Sequence, residues 1–294
     1  MKNKELLLLT LPALAYFLIF HYLPMGGIWM AFTDYRFVDG IFGSEFVGLR
    51  WFRIFFQGDL ARVTRNTVGY SLAFIILGVI TGVFTAVMMN AVRSRFATKT
   101  YQTIMILPHF MSWIVVSLIL YIFLDPLHGV ANRMLISMGF SPIWWYARPQ
   151  YWPFILTFME IWKNVGMGSL IYYAALMGID QTLYESASMD GAGAVAKFRY
   201  ITLPGLVPLI CILTLLALGG LFRGDFGLFF ALPRDVGALI PTTDVLDTYI
   251  FRGLRQGLLS LNAAAGLYQS VMGFLAVVTV NLIVKKISPE NSLF

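Results

Sequence analysis

Apolar residues run through this chain in stretches far longer than a soluble core helix needs, and the segments between them gather the charge. Six such stretches can be placed, at about 6–32, 66–92, 103–124, 152–178, 204–222 and 263–284. Each comes close to or exceeds the roughly 20 residues that carry an α-helix across a bilayer core. Backbone N–H and C=O groups find no water in lipid, so the spanning segments should be helices that bond internally. The pattern predicts an all-α polytopic membrane protein, one domain with six transmembrane helices. Lys2 and Lys4 precede the first stretch, as in a signal peptide. That stretch stays apolar to about Phe32 without a clear small-residue cleavage site, and is read as an uncleaved span.

Composition agrees with this pattern. Apolar residues make up 59% of the 294 and charged residues 12%, a balance unlike that of soluble domains. The formal charge of +6 does not point to nucleic acid, because no basic cluster stands apart from a membrane flank. Cys211 is the single cysteine. It excludes an intrachain disulfide and is expected to be a buried thiol.

Charge also orients the spans. The short 90–102 segment holds Arg93, Arg95 and Lys99 with no acid. With alternating spans, Lys2, Lys4, Lys197, Arg199, Lys285 and Lys286 fall on the same side, leaving Lys163 as the one lysine elsewhere. The excess of Lys and Arg marks that side as cytoplasmic. Both termini and the Tyr184–Pro204 segment are then inside.

That segment, YESASMDGAGAVAKFRYITLP, is the most informative in the chain. Leu183, Ala187, Ala194 and Phe198 recur at roughly helical spacing, among Glu185, Asp190, Lys197 and Arg199. Gly191-Ala192-Gly193 lies between two short helical pieces, where glycine permits a sharp bend. Pro204 can open the next helix. The result is a short helix across the end of the bundle, offering either an amphipathic knob to a partner's groove or only an interfacial connection.

The order Glu185-Ser186-Ala187, three residues, Gly191, nine residues, then Ile201-Thr202-Leu203-Pro204 resembles the EAA motif of binding-protein-dependent ABC importer permeases. Ser186 for Ala is the one departure. The resemblance implies a type I importer permease fold with a cytoplasmic coupling loop over 180–203. Glu185, Ala187, Ser188, Asp190, Gly191, Ala192, Leu203 and Pro204 would couple it to an ATPase. It also implies a second, related permease chain, two ATPase subunits that hold ATP and Mg, an extracytoplasmic solute-binding protein and a bacterial inner membrane. Leu11-Pro12-Ala13, His21-Tyr22-Leu23-Pro24, Ala31-Phe32-Thr33-Asp34-Tyr35, Gly43–Leu49 and Arg65-Asn66-Thr67 look like permeases that import polysaccharide fragments. That second resemblance implies a sugar or oligosaccharide cargo.

No cofactor is expected on this chain. Gly191-Ala192-Gly193 ends in Ala194-Val195-Ala196-Lys197 and lacks the Gly-x4-Gly-Lys-Ser/Thr spacing that wraps phosphates. No Cys/His cluster has metal-ligand spacing, and no local set of nucleophile, base and acid suggests catalysis. The chain is therefore not expected to be an enzyme.

Candidate cargo contacts lie in the fourth stretch, where Glu160, Lys163 and Asn164 share one helix face at i, i+3 and i, i+4. Ionisable residues at this depth face the bundle interior or a wet cavity. They either fix helix packing as a buried pair or line the path and bond sugar hydroxyls. Trp162 points away from that face. Trp113, beside Ser112 in the third stretch, could also line the path. Trp144, Trp145 and Tyr151 suit an interfacial aromatic belt, though sugar faces stack on such rings too. His109 follows Pro108 and is expected to bond to backbone. Gly78 and Gly82 form a Gly-x3-Gly packing pair. The long Arg223–Asn262 connection reads as an extracytoplasmic helical excursion, with Arg223 and Asp225 as further candidates and a short helix near Asp244–Ile250. An ion- or proton-coupled secondary transporter using Glu160 and Lys163 is the alternative, but no inverted repeat supports it.

Overall fold

The computed structural model describes residues 4–92 and 94–287. Lys2, Arg93 and the Lys4 side chain, counted above toward the cytoplasmic charge, lie outside the described residues. Helices dominate, and among the described residues the one sheet is a two-residue antiparallel pair, Thr33–Asp34 with Glu45–Phe46.

In chain order, α1 (Lys4–Phe17) continues through a π turn (Leu18–Tyr22) and a 3-10 stretch (Leu23–Phe32). Then come α2 (Gly40–Gly43), α3 (Arg50–Gln57), α4 (Leu60–Ala91) and α5 (Arg95–Ile106), which ends in the 3-10 turn Leu107–Phe110. They are followed by α6 (Trp113–Phe123), α7 (Val130–Ser137), α8 (Trp152–Leu176), α9 (Gln181–Met189) and α10 (Ala194–Lys197). A π turn (Phe198–Thr202) joins α10 to α11 (Leu203–Leu218). The chain closes with α12 (Phe226–Ala231), α13 (Ile240–Thr243), α14 (Leu246–Arg255) and α15 (Leu259–Ile287).

Helix covers most of each of the six apolar stretches. Among the described residues, Leu8–Phe32, Leu60–Ala91, Ala194–Leu218 and Leu259–Lys286 are long and apolar enough to cross a membrane. A fifth crossing arises if Arg95–Phe110 and Trp113–Phe123, which meet at 97°, form one broken span. The 25-residue α8 falls outside that set because Glu160, Lys163 and Asn164 interrupt its apolar run. The third stretch thus differs from the single straight helix that hydropathy suggests. Met111 and Ser112 are extended (ψ 136° and 149°), and the Ser112 hydroxyl then N-caps α6 by accepting from Val115 N at 3.3 Å.

Contacts divide the chain into two units, Met1–Ala61 with Tyr249–Val271, and Arg62–Thr248 with Met272–Phe294. In the first, the Trp51 indole donates to Thr33 O at 3.0 Å and Tyr35 N donates to Ser260 Oγ at 2.9 Å. Phe55 is buried there against the Tyr249 and Tyr268 rings.

The second unit carries both candidate sites. One of its apolar clusters joins Tyr70, Leu120, Trp152, Leu156, Leu228 and Phe229, and another joins Val83, Ala86, Tyr172, Leu176 and Leu206. Gly82 lets α4 lie on the Tyr172 ring, which a Cβ there would meet at 2.9 Å. Gly78 and Gly82 therefore serve contact within the chain at the second of the pair. Cys211 is exposed rather than buried. Trp152 is fully buried with its indole bonded to Trp145 O, so it is a core residue.

The 223–262 excursion is fastened to the start of α4 by buried polar groups. Arg62 pairs with Asp244 at 2.8 Å, Asn66 Nδ2 donates to Asp244 O at 2.9 Å and to Pro241 O at 3.2 Å, and Leu246 N donates to Thr67 Oγ1 at 2.9 Å. The Tyr70 hydroxyl donates to Thr242 O at 2.7 Å. The short helix expected near Asp244–Ile250 is present as α14, with Asp247 in its first turn.

Candidate functional sites

The 180–203 loop folds into two helices meeting at a tight turn. Asp180 N-caps α9, its carboxylate accepting from Thr182 N at 2.9 Å, and that backbone bond holds its pKa below the usual carboxylate value. At the other end, Ala192 N donates to Ala187 O at 2.8 Å and Gly191 N donates to Ser188 O at 3.2 Å. These are the 6→1 and 5→2 bonds of a Schellman motif, which needs a left-handed residue just past the helix. Gly191 supplies it with φ +77°. The fixed distance from Glu185 to Gly191 thus measures one helix end.

Side chains lock the same turn. Lys197 Nζ donates to Ser188 Oγ at 2.7 Å, Ser188 Oγ donates to Tyr184 O at 2.6 Å, and the Tyr184 and Thr202 hydroxyls meet at 2.9 Å. Ala187, Ala192 and Leu203 are half-buried, while Glu185, Asp190 and Pro204 are exposed. Met189 (84%) and Val195 (80%) stand out from the tip. An apolar tip carried on a rigid base is suited to a groove in a partner. Gly191→Ala places a Cβ in open space but in a left-handed backbone. It is expected to cost about 1–2 kcal/mol, read as a lowered melting temperature with α9 as the first helix to lose amide protection.

The second constellation forms where the broken third span meets α8. His109 Nδ1 and Asn164 Oδ1 are 3.0 Å apart, and Asn164 Nδ2 donates to Glu160 Oε1 at 2.7 Å. With the amide so oriented, His109 carries its proton on Nδ1. Lys163 Nζ donates to His109 O at 2.9 Å and lies 4.9 Å from the centre of the Trp113 ring. The last carbonyls of a helix lack intrahelical donors, and its negative end attracts a cation. Lys163 meets both needs at the end of Arg95–Phe110.

Asp225 completes the group. Its carboxylate accepts from Trp113 Nε1 at 2.7 Å and N-caps α12 by accepting from Leu228 N at 3.2 Å. Gly227 allows this, because a Cβ there would overlap the Trp113 ring. Five of the six cargo candidates (Glu160, Lys163, Asn164, Trp113 and Asp225) therefore form one cluster. Arg223 is exposed and outside it. His109, expected to bond only backbone, joins through both its ring and its carbonyl. The Pro108 that ends its helix was the signal available.

Glu160 Oε2 is buried without a hydrogen-bond partner. Glu160 and Asn164 also line a cavity of about 310 Å³ between α4, α8 and α11, with Gly78, Thr81, Tyr172 and Thr214 among the other residues. The cluster thus presents an unpaired carboxylate oxygen beside a mostly apolar space. Trp162 points elsewhere and is 36% exposed.

The binding-protein-dependent transport system inner membrane component family matches residues 75–288. The chain is 34% identical to Protein LplB of Bacillus subtilis (strain 168) over 292 residues, 99% of this chain and 91% of that protein. It is 32% identical to the polygalacturonan/rhamnogalacturonan transport system permease protein YteP of the same organism, again over 292 residues, covering 99% and 90%. A crystal structure of a bacterial ABC transporter involved in the import of the acidic polysaccharide alginate superposes with a TM-score of 0.87 at 33% identity, over 98% of this chain and 97% of that one. The bacterial alginate ABC transporter in complex with alginate pentasaccharide-bound periplasmic protein gives the same TM-score. Fold, family match and relatives agree, and the chain belongs to the inner-membrane permease subunits of binding-protein-dependent ABC importers.

Proposed function

We propose that this permease forms one half of the pore for ATP-driven uptake of a polysaccharide-derived oligosaccharide. Family membership sets aside the ion-coupled alternative and makes the chain a transport subunit rather than an enzyme. In our reading the other half is a related but different permease chain. Two ATPase subunits dock beneath the pair, carrying ATP and Mg, and an extracytoplasmic solute-binding protein delivers cargo. Both termini and the 180–203 loop face the cytoplasm, and the spans follow the six apolar stretches.

The observation that carries this reading is the 180–203 loop, a capped helix–turn–helix whose exposed Met189 and Val195 have no work within the chain. Closure of the ATPases would move this loop as a rigid body, and the spans would carry the motion so that the pore alternates between outward and inward access. Glu185 orients the docking helix by charge contacts, and Gly191 with Ala187, Ser188, Asp190 and Ala192 shapes its end. Leu203 and Pro204 start the helix that returns to the bundle. Glu160, Lys163, Asn164, Trp113 and Asp225 are assigned to the cargo path, where the free Glu160 oxygen accepts from a sugar hydroxyl. Arg223 is kept as an outer contact.

Purification of the tagged protein from native membranes in mild detergent should recover a second permease, an ATPase and a solute-binding protein. A solitary homo-oligomer active without ATP would overturn the proposal. In proteoliposomes of the recovered complex, Met189→Asp and Val195→Asp are expected to lower ATP-driven uptake at least tenfold. Their melting temperatures should stay unchanged, since neither residue packs on the fold.

A further inference from the structure

At the outer end of the second unit, Pro233-Arg234-Asp235-Val236 makes a turn closed by Val236 N donating to Pro233 O at 3.2 Å. Both central residues have left-handed backbones, Arg234 with φ 58° and Asp235 with φ 53°. Turns of this kind are ordinarily filled by Gly, Asn or Asp, and strained non-glycine positions gather where function needs them. Among the described residues these two are the only non-glycine positions with positive φ.

The strain holds Arg234 in one place. Pro233 and Leu232 are buried, and the Tyr146 hydroxyl donates to Leu232 O at 3.3 Å. Burial pushes the Tyr146 hydroxyl up to about 12, so it remains a donor at any physiological pH. Arg234 is exposed, and its guanidinium sits 4.3 Å from the centre of the Tyr121 ring. Tyr121 is itself 40% exposed and packs edge-on against Tyr146 at 5.6 Å. No carboxylate of the described chain is paired with Arg234. A guanidinium that rests near a ring without a carboxylate partner has its N–H fork free, and that fork matches a planar carboxylate in bidentate fashion. The ring beside it offers an apolar face of the kind on which a pyranose lies.

From this arrangement we infer that Arg234 and Tyr121 form an outer contact for a uronate residue, so that the cargo is an acidic oligosaccharide. The inference rests on the oligosaccharide reading above and adds its charge. It accounts for an arginine where asparagine or glycine would relieve the backbone.

The test compares the wild-type and Arg234→Asn complexes in proteoliposomes with the same binding protein. The probes are galacturonate and mannuronate–guluronate oligomers, each with its carboxyl-reduced counterpart. Arg234→Asn is expected to melt no lower than wild type, because it relaxes the turn. It should raise the half-saturating concentration for the acidic oligomers about tenfold and leave any uptake of the neutral ones unchanged. Arg234→Lys should resemble Asn more than wild type, because it keeps the charge but loses the fork. Equal acidic uptake by all three proteins would overturn the inference while leaving the importer reading intact. So would a loss that tracks a lower melting temperature, or one that appears only with anionic lipid and so points to a headgroup phosphate. ATP-driven uptake of neither kind of oligomer by wild type would overturn the oligosaccharide reading and this inference together.

Discussion

Gly166→Val is expected to destabilise the protein by on the order of 4 kcal/mol or more and to leave little folded material in the membrane. At this position α8 crosses the end of α5 backbone to backbone. A Cβ on Gly166 would overlap the Met105 carbonyl and stand 2.9 Å from Ile106 N. A crowded side chain can rotate aside, but a carbonyl inside a helix cannot without breaking its own bond. The two helices must separate, and the polar cluster at His109, just beyond Ile106, separates with them. Detergent extraction followed by thermal melting reads the effect. Gly168→Ala is the control, since a Cβ there meets nothing within 4 Å. A valine variant that melts with wild type would show that α5 and α8 do not cross at this glycine.

Asp244→Ala is expected to cost about 3–5 kcal/mol, the range for removing one partner of a buried ion pair. The Asp244 side chain is fully buried, accepts from Arg62 at 2.8 Å and also accepts from Thr248 Oγ1 at 2.8 Å. Arg62 keeps 23% exposure, so solvent softens the loss and the lower end of that range applies. The Asn66 bonds go to backbone carbonyls and should survive. Combining Asp244→Ala with Arg62→Met should cost less than the sum of the single changes, read as melting shifts. Strict additivity would mean that the pair does not hold the excursion to α4.

Local signals in the sequence carried furthest. The interval from Glu185 to Gly191 is set by a helix end, so Gly191 was readable as a bend before its φ was known. Glu160 and Asn164 were readable as partners because helical geometry alone brings i and i+4 together. The break in the third span was harder to see, since hydropathy averages over Met111 and Ser112, which are no more polar than many helix interiors. The local signals were Pro108 ahead of the break and Ser112 as a cap. Contacts with no sequence trace were missed. Trp113 and Asp225 lie 112 positions apart, and nothing near Asp225 distinguishes it from Arg223, which joins no cluster. Cys211 shows the same limit, because an apolar run does not say which face meets the chain itself.

The helix that leaves the 180–203 loop does not end with it. Ala194–Leu218 runs as 25 helical residues, about 37 Å at 1.5 Å per residue. Near its middle lies Leu206, fully buried, beside Gly205, where a Cβ would press on Ile179 at 2.8 Å. From that point the two arms, to Val195 and to Leu218, are about 16 and 18 Å long. A rod pivoted near its middle behaves as a seesaw: it reverses the direction of a push and scarcely changes its size. A pull at the Val195 end would therefore appear as an opposite swing of nearly equal length at the Leu218 end.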